Sequence, residues 1–108
     1  MAIENLDLQF LKSKTILVTG ASSGIGKAIA EKLLDLGNIV IGTSRSNTNL
    51  RVTSEKFPRN FYSYSLDLGN LDEILKLSSY VSKTFGKLDV LINNAGILGQ
   101  TTTIEDYD

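Results

Sequence analysis

Residues 19–26 read Thr-Gly-Ala-Ser-Ser-Gly-Ile-Gly, a glycine-rich turn between an apolar run and a helical pattern. A pyrophosphate group needs backbone N–H donors, a positive helix end and no obstructing side chains. Gly20 lets the chain reverse sharply after a strand. Gly24 lets the backbone approach the phosphates, Gly26 lets the new helix pack closely on a sheet, and Ser22 and Ser23 add hydroxyl donors. The Gly-x3-Gly-x-Gly spacing differs from the general Gly-x-Gly-x-x-Gly fingerprint and lacks the Gly-Lys-Ser/Thr that closes a P-loop. Taken alone, the same glycines also serve a plain strand-to-helix turn. Asn93-Asn94-Ala95-Gly96 follows a later apolar run, and the pair of motifs points to a nicotinamide dinucleotide.

The elements that would carry these residues alternate along the chain. Thr15-Ile16-Leu17-Val18 is a short apolar run ending near Gly20, as expected of a strand buried on both faces of a parallel sheet. From Gly24 the period becomes helical, with Ile25, Ile29, Leu33 and Leu36 in step and Gly37 suited to the left-handed end of the helix. Ile39-Val40-Ile41 predicts a second strand, followed by a weak helix over Leu50 to Phe57 that Pro58 stops. Residues 61–65 have the aromatic content of a third strand. Asn70 with Glu73 resembles a capping box for a helix running to Gly86, and Val90-Leu91-Ile92 predicts a fourth strand. The expectation is an α/β, Rossmann-like doubly wound parallel sheet, truncated at about four strands in the order 3-2-1-4, with helices on both faces.

Composition narrows the chemistry. A length of 108 residues allows at most one domain, taken here as a single, incomplete NAD(P)-binding unit over 1–108. With no cysteine and no histidine, disulfides, thiolate catalysis and the commonest general base and zinc ligand are excluded. No acidic cluster suggests a metal, so none is expected. A formal net charge of −1 argues against nucleic-acid or membrane surfaces as partners. No apolar run approaches the roughly 18 residues of a membrane span. The N-terminus lacks the basic and apolar segments of a secretory signal, which leaves the cytoplasm as the expected location.

The two motifs together resemble those of the classical short-chain dehydrogenase/reductase family, matched by Thr19, Gly20, Gly24 and Gly26 and by residues 93–96. The resemblance implies hydride transfer between NADP(H) or NAD(H) and an alcohol or carbonyl substrate. It assigns Asn94, Ala95 and Gly96 to the ribose region of the cofactor. It also places Asp67, followed by Leu68, where the family carries an aspartate that bonds the adenine amine. The expected cofactor-binding set is Gly20, Ser22, Ser23, Gly24, Ile25, Gly26, Ser44, Arg45, Asp67, Leu68, Asn94, Ala95 and Gly96.

The end of the second strand bears on cofactor choice. An acid there would bind the ribose 2′-hydroxyl and repel a 2′-phosphate. None occurs from Ile39 to Asn47, and Arg45 offers a planar, charged set of donors suited to phosphate, so NADP is expected over NAD. An exposed, solvated arginine is the alternative at this position.

The family's Ser and Tyr-x3-Lys normally lie several tens of positions beyond Asn-Asn-Ala-Gly, and Tyr107 is expected in the first turn of a further helix. No catalytic residue is therefore assigned. The 108-residue chain is expected to be inactive, with a substrate met only in a full-length form. Val90-Leu91-Ile92 is expected to form an uncovered edge open to self-association. A non-catalytic nucleotide-binding or interaction module derived from the same fold is the alternative function. An extended-type sugar-nucleotide epimerase fits the glycine spacing less well.

Overall fold

A computed structural model describes residues 8, 10–22, 24–45, 48–67, 69–94 and 103–106. Its elements run β1 (Thr15–Thr19), α1 (Gly24–Asp35), β2 (Ile39–Ser44), α2 (Thr48–Lys56), β3 (Phe61–Ser65), α3 (Leu71–Phe85), β4 (Val90–Asn93) and β5 (Thr103–Asp106). The sheet order is β3-β2-β1-β4-β5. The first four strands are parallel, in the expected order 3-2-1-4.

Strand alternation explains why both faces are apolar. Ile16 and Val18 of β1 point into one core with Ile29, Ala30, Leu33 and Leu34 of α1 and Leu50 of α2. Leu17 points the other way, joining Ile41, Leu77 and Val81 beneath α3. Successive side chains of a strand face opposite sides, so a near-continuous apolar run is what a strand covered on both faces requires. Helices thus lie on both faces, as expected. β2 runs further than the apolar run suggested, because Thr43 and Ser44 continue its pairing with β3. Likewise α2 begins at Thr48 rather than Leu50.

Two helix ends behave as their residues dictate, and one differs in detail. Gly37 has φ 90° and donates its N–H to Leu34, closing α1. The Asn70 side chain accepts from the N–H of Glu73 at 3.3 Å, capping α3. Glu73, however, reaches past Asn70 to accept from the N–H of Asp67 at 3.3 Å, so the box is widened rather than closed on its own cap.

Asn38 is fully buried and its amide is saturated. Its Nδ2 donates to the carbonyls of Leu11 at 2.8 Å and Leu33 at 3.0 Å, and its Oδ1 accepts from the N–H of Lys14 at 3.0 Å. The segment that enters β1 is thereby fastened to the end of α1, with Leu8 and Leu11 buried in the core of the α1 and α2 face. This clasp was not read from the sequence.

The expected uncovered edge at β4 is corrected by the structure. Thr103–Asp106 pairs antiparallel with β4, setting Val90 opposite Asp106 and Asn93 opposite Thr103. A parallel neighbour needs a crossover of roughly a dozen or more residues. The connection over 94–102 is shorter than that, so the chain turns back on itself instead. Tyr107, expected in a further helix, lies outside the described residues.

At the opposite end of the sheet, Asp89 joins β4 to β1. Its Oδ2 accepts from the N–H of Thr15 at 2.8 Å, and its own N–H donates to the Thr15 carbonyl at 2.9 Å. The Thr15 N–H holds the Asp89 carboxyl below the ordinary aspartate value of 3.8, and Lys87 at 3.2 Å adds to this against the opposing effect of burial. A carboxyl whose pKa is depressed by folding stabilises the fold fully above its unfolded value. That contribution is lost as pH falls through the lower folded value. Urea titrations of wild type and Asp89→Asn should therefore show a variant that is weaker at pH 7 and a stability gap that narrows below about pH 4. A gap of constant size down to pH 2 would contradict the role given to this carboxylate.

Candidate functional site

The sheet register brings distant residues to one end. Thr19 pairs with Thr43 of β2 and Asn93 of β4, and Ser44 pairs with Ser65 of β3. Gly20, Arg45, Asp67 and Asn94 accordingly leave the carboxyl ends of adjacent strands. In an open α/β sheet this is where ligands bind, in the crevice where strand order reverses, here between β1 and β4.

The glycine turn is shaped by backbone geometry. Gly20 and Gly24 hold φ of 64° and 59°, in the left-handed region that favours glycine. Among the described residues, a Cβ on Gly24 would meet nothing within 4 Å. Gly26 is different in kind. A Cβ there would lie 2.0 Å from the Gly20 carbonyl oxygen and 2.6 Å from Asn94 Nδ2, so its hydrogen is what allows α1 to press onto the turn. No acid occupies the first turn of α1, and the unpaired amides of a helix start favour an anion.

The two motifs are bonded to each other through Thr19. Its hydroxyl donates to Asn93 Oδ1 at 3.0 Å and accepts from the N–H of Asn94 at 2.9 Å. Asn94 Nδ2 also donates to the Gly20 carbonyl at 3.4 Å. The Asn-Asn loop is therefore fixed directly on the glycine turn.

On the other flank, Ser44 Oγ donates to Ser22 Oγ at 3.0 Å, joining the end of β2 to the turn. Arg45 is exposed, and its carbonyl accepts from Ser65 Oγ at 3.2 Å. Among the described residues its guanidinium has no carboxylate partner. Asp67 is exposed at the sheet end, and its Oδ1 accepts from the N–H of Gly69 at 2.9 Å. Ile25 is 44% exposed, so it faces the open side of the turn rather than the core its spacing suggested. Ser23, Leu68, Ala95 and Gly96, also expected in the site, lie outside the described residues.

One supporting residue escaped the sequence reading. Gly42 sits inside β2, where a Cβ would come within 2.5 Å of the Phe61 ring and 3.1 Å of Ala21 Cβ. It lets Phe61 lie across the strand beneath the glycine turn. The available signal was a glycine within an otherwise β-favouring run, which often marks close approach.

Residues 14–108 match the family model described as short chain dehydrogenase. The chain belongs to the short-chain dehydrogenase family. Among curated members it is 44% identical over 86 residues to the 3-oxoacyl-acyl-carrier-protein reductase FabG of Buchnera aphidicola, covering 79% of this chain and 35% of that protein. It is 41% identical over 83 residues to the NADPH-dependent 3-dehydrocapnine reductase of Ornithobacterium rhinotracheale, covering 75% and 29%. A metagenomic short-chain oxidoreductase solved in complex with NADP superposes with a TM-score of 0.75 at 39% identity, over 81% of this chain and 41% of that one. This short-chain dehydrogenase chain thus spans well under half the length of these relatives. Among the described residues, no helix is long and apolar enough to cross a membrane, and no group of side chains is arranged to hold a metal.

Proposed function

We propose that this chain provides the adenosine and pyrophosphate half of a nicotinamide-dinucleotide site in an oxidoreductase acting on an alcohol or carbonyl, with NADP(H) preferred over NAD(H). The observation that carries the cofactor choice is Arg45 at the end of β2. It is exposed, without a carboxylate partner among the described residues, and no acid lies between Ile39 and Arg45. An acid in this region would favour the unphosphorylated ribose. The relatives bound to NADP or described as NADPH-dependent support the same choice.

In this reading the open turn of Gly20, Ser22, Gly24, Ile25 and Gly26 takes the pyrophosphate at the start of α1. Arg45, next to the Ser22–Ser44 pair, takes the ribose 2′-phosphate. Asp67, next to Leu68, accepts from the adenine amine, and Asn94 lines the far ribose. Ser23, Ala95 and Gly96 complete the set by their places in the motifs. The cofactor itself would supply the hydride.

Half-cofactors test this site without requiring turnover. Titration should show 2′-phospho-ADP-ribose binding at least tenfold more tightly than ADP-ribose, the scale of about 1.4 kcal/mol for one charge-assisted contact. Arg45→Asp should abolish or reverse that preference while ADP-ribose binding persists. An unchanged preference in Arg45→Asp would sink the NADP assignment.

Proton transfer is the second part of the proposal. None of Tyr62, Tyr64 and Tyr80 has a lysine four residues on, where Leu66, Leu68 and Thr84 stand instead. The acid/base pair implied by the family resemblance would come from outside these residues. Purified 108-residue protein should therefore leave NADPH unoxidised with any carbonyl substrate. Steady oxidation above the buffer rate would contradict the reading.

A further inference from the structure

We infer that Glu73 is a positioning residue for cofactor recognition, holding the backbone of Asp67 so that its carboxylate meets the adenine amine. The inference rests on the adenine role proposed for Asp67 and is independent of Arg45. Asp67 follows the edge strand β3, which has β2 on one side and, among the described residues, no strand on the other. Leu66 gives its N–H to β2, bonding the Ser44 carbonyl at 2.9 Å. Successive N–H groups of a strand point to opposite sides, so that of Asp67 turns to the open side, away from β2. Glu73, half-buried in the first turn of α3, supplies the acceptor there at 3.3 Å.

Two further bonds fix the same residue. The Asp67 carbonyl accepts from the N–H of Asn70 at 3.0 Å, closing a turn, and its Oδ1 accepts from the N–H of Gly69 at 2.9 Å. An aspartate bonded to the backbone two residues on is a common turn device. A glutamate at the third position of a helix ordinarily returns to the N–H of the cap residue. Here that N–H, on Asn70, is given to the Asp67 carbonyl, and Glu73 reaches three residues further back. A bond at so exposed a residue adds little to stability, because water serves the N–H as well. What it adds is a fixed peptide plane at Asp67, and a recognition group needs its supporting bonds to hold direction.

Paired ligands read that direction. ADP-ribose and its purine analogue differ only in the 6-amine, and neither carries the 2′-phosphate. Wild type should prefer ADP-ribose by about tenfold, the scale of one charge-assisted bond. Glu73→Ala should reduce the preference to about threefold or less. Glu73→Gln, whose amide oxygen still accepts from the Asp67 N–H, should keep it. Asp72→Ala is the control for helix charge, since Asp72 also lies in the first turn of α3 and is exposed, and its loss should leave the preference unchanged. A ratio of two affinities in one protein is insensitive to a smaller folded fraction. Without ligand, the Asp67 amide should exchange faster in Glu73→Ala than in Asp72→Ala.

A Glu73→Ala variant with the wild-type preference, or a Glu73→Gln variant without it, would overturn the inference and leave the adenine role of Asp67 standing. So would an equal fall in Asp72→Ala, or an unchanged exchange rate at Asp67. A wild type that binds the two ligands equally, or binds neither, fails the reading of Asp67 itself, and the positioning role with it.

Discussion

Gly26→Ala is expected to destabilise this chain by about 3 kcal/mol or more, at the upper end of overpacking effects. The sign is informative because helix propensity points the other way. Gly26 lies inside α1, where alanine in place of glycine ordinarily gains roughly 1 kcal/mol. The new methyl, however, would sit 2.0 Å from the Gly20 carbonyl oxygen and 2.9 Å from its carbon. Both are backbone atoms of a turn held by left-handed Gly20 and by the bond from Asn94, so neither can swing aside as a side-chain tip would. α1 would have to lift from the end of β1, which separates the glycine turn from the Asn-Asn loop. Gly24→Ala is the control, since its Cβ meets nothing among the described residues and the left-handed backbone opposes it, at about 1–2 kcal/mol. Urea unfolding of the three proteins decides the matter. A Gly26→Ala variant as stable as wild type would show that the close approach does not govern this junction.

Asn38→Leu should lower stability by about 2–4 kcal/mol, although it keeps most of the volume and adds apolar surface. The amide serves the Leu11 carbonyl, the Leu33 carbonyl and the Lys14 N–H, and leucine serves none of them. Leu33 retains the bond from the backbone N–H of residue 38 at 3.2 Å, so the loss falls on Leu11 and Lys14. The carbonyl of buried Leu11 forfeits about 1–3 kcal/mol when left without a partner, and the N–H of Lys14, an exposed residue, forfeits less. Domains have only about 5–15 kcal/mol in total, so the effect is a large share. With a urea slope of roughly 1–3 kcal/mol per molar, the midpoint should fall by about 1 M or more. Detachment of the segment before β1 should show as faster amide exchange at Leu11 and Lys14. A midpoint within 0.3 M of wild type, on the order of 0.5 kcal/mol, would mean that the clasp is dispensable.

Much of the fold is legible along the chain because its signals are local. The strand over 61–65 and the helix ending at Gly86 declare themselves by composition, period and cap, and the structure places both there. Alternation of such elements restricts the topology to parallel strands with helices on both faces. The glycine turn is legible for the same reason, since Gly20 and Gly24 encode it through left-handed conformations that other residues resist. Short-range signals do not report how far a strand continues once polar residues begin, which is why the second strand is read only as Ile39-Val40-Ile41 although it runs to Ser44. They also do not report where a chain returns after a turn, which is why β4 seemed to have an open edge.

Residue types and spacing by themselves determined the order of the elements from β1 to β4, the family, and the strand ends that the two motifs follow. Tertiary structure decided which atoms meet there. Thr19 bridges β1 to the Asn-Asn loop, Ser22 meets Ser44, and Gly26 is obligatory because the Gly20 carbonyl lies against it. Asn38 becomes the clasp of the entering segment, and β5 closes the sheet at its far side. Each of these contacts joins residues far apart in the chain or depends on the angle at which two elements pack. Periodicity and propensity are properties of neighbours, whereas a hydrogen bond between Thr19 and Asn93 exists only once the sheet has set β1 beside β4.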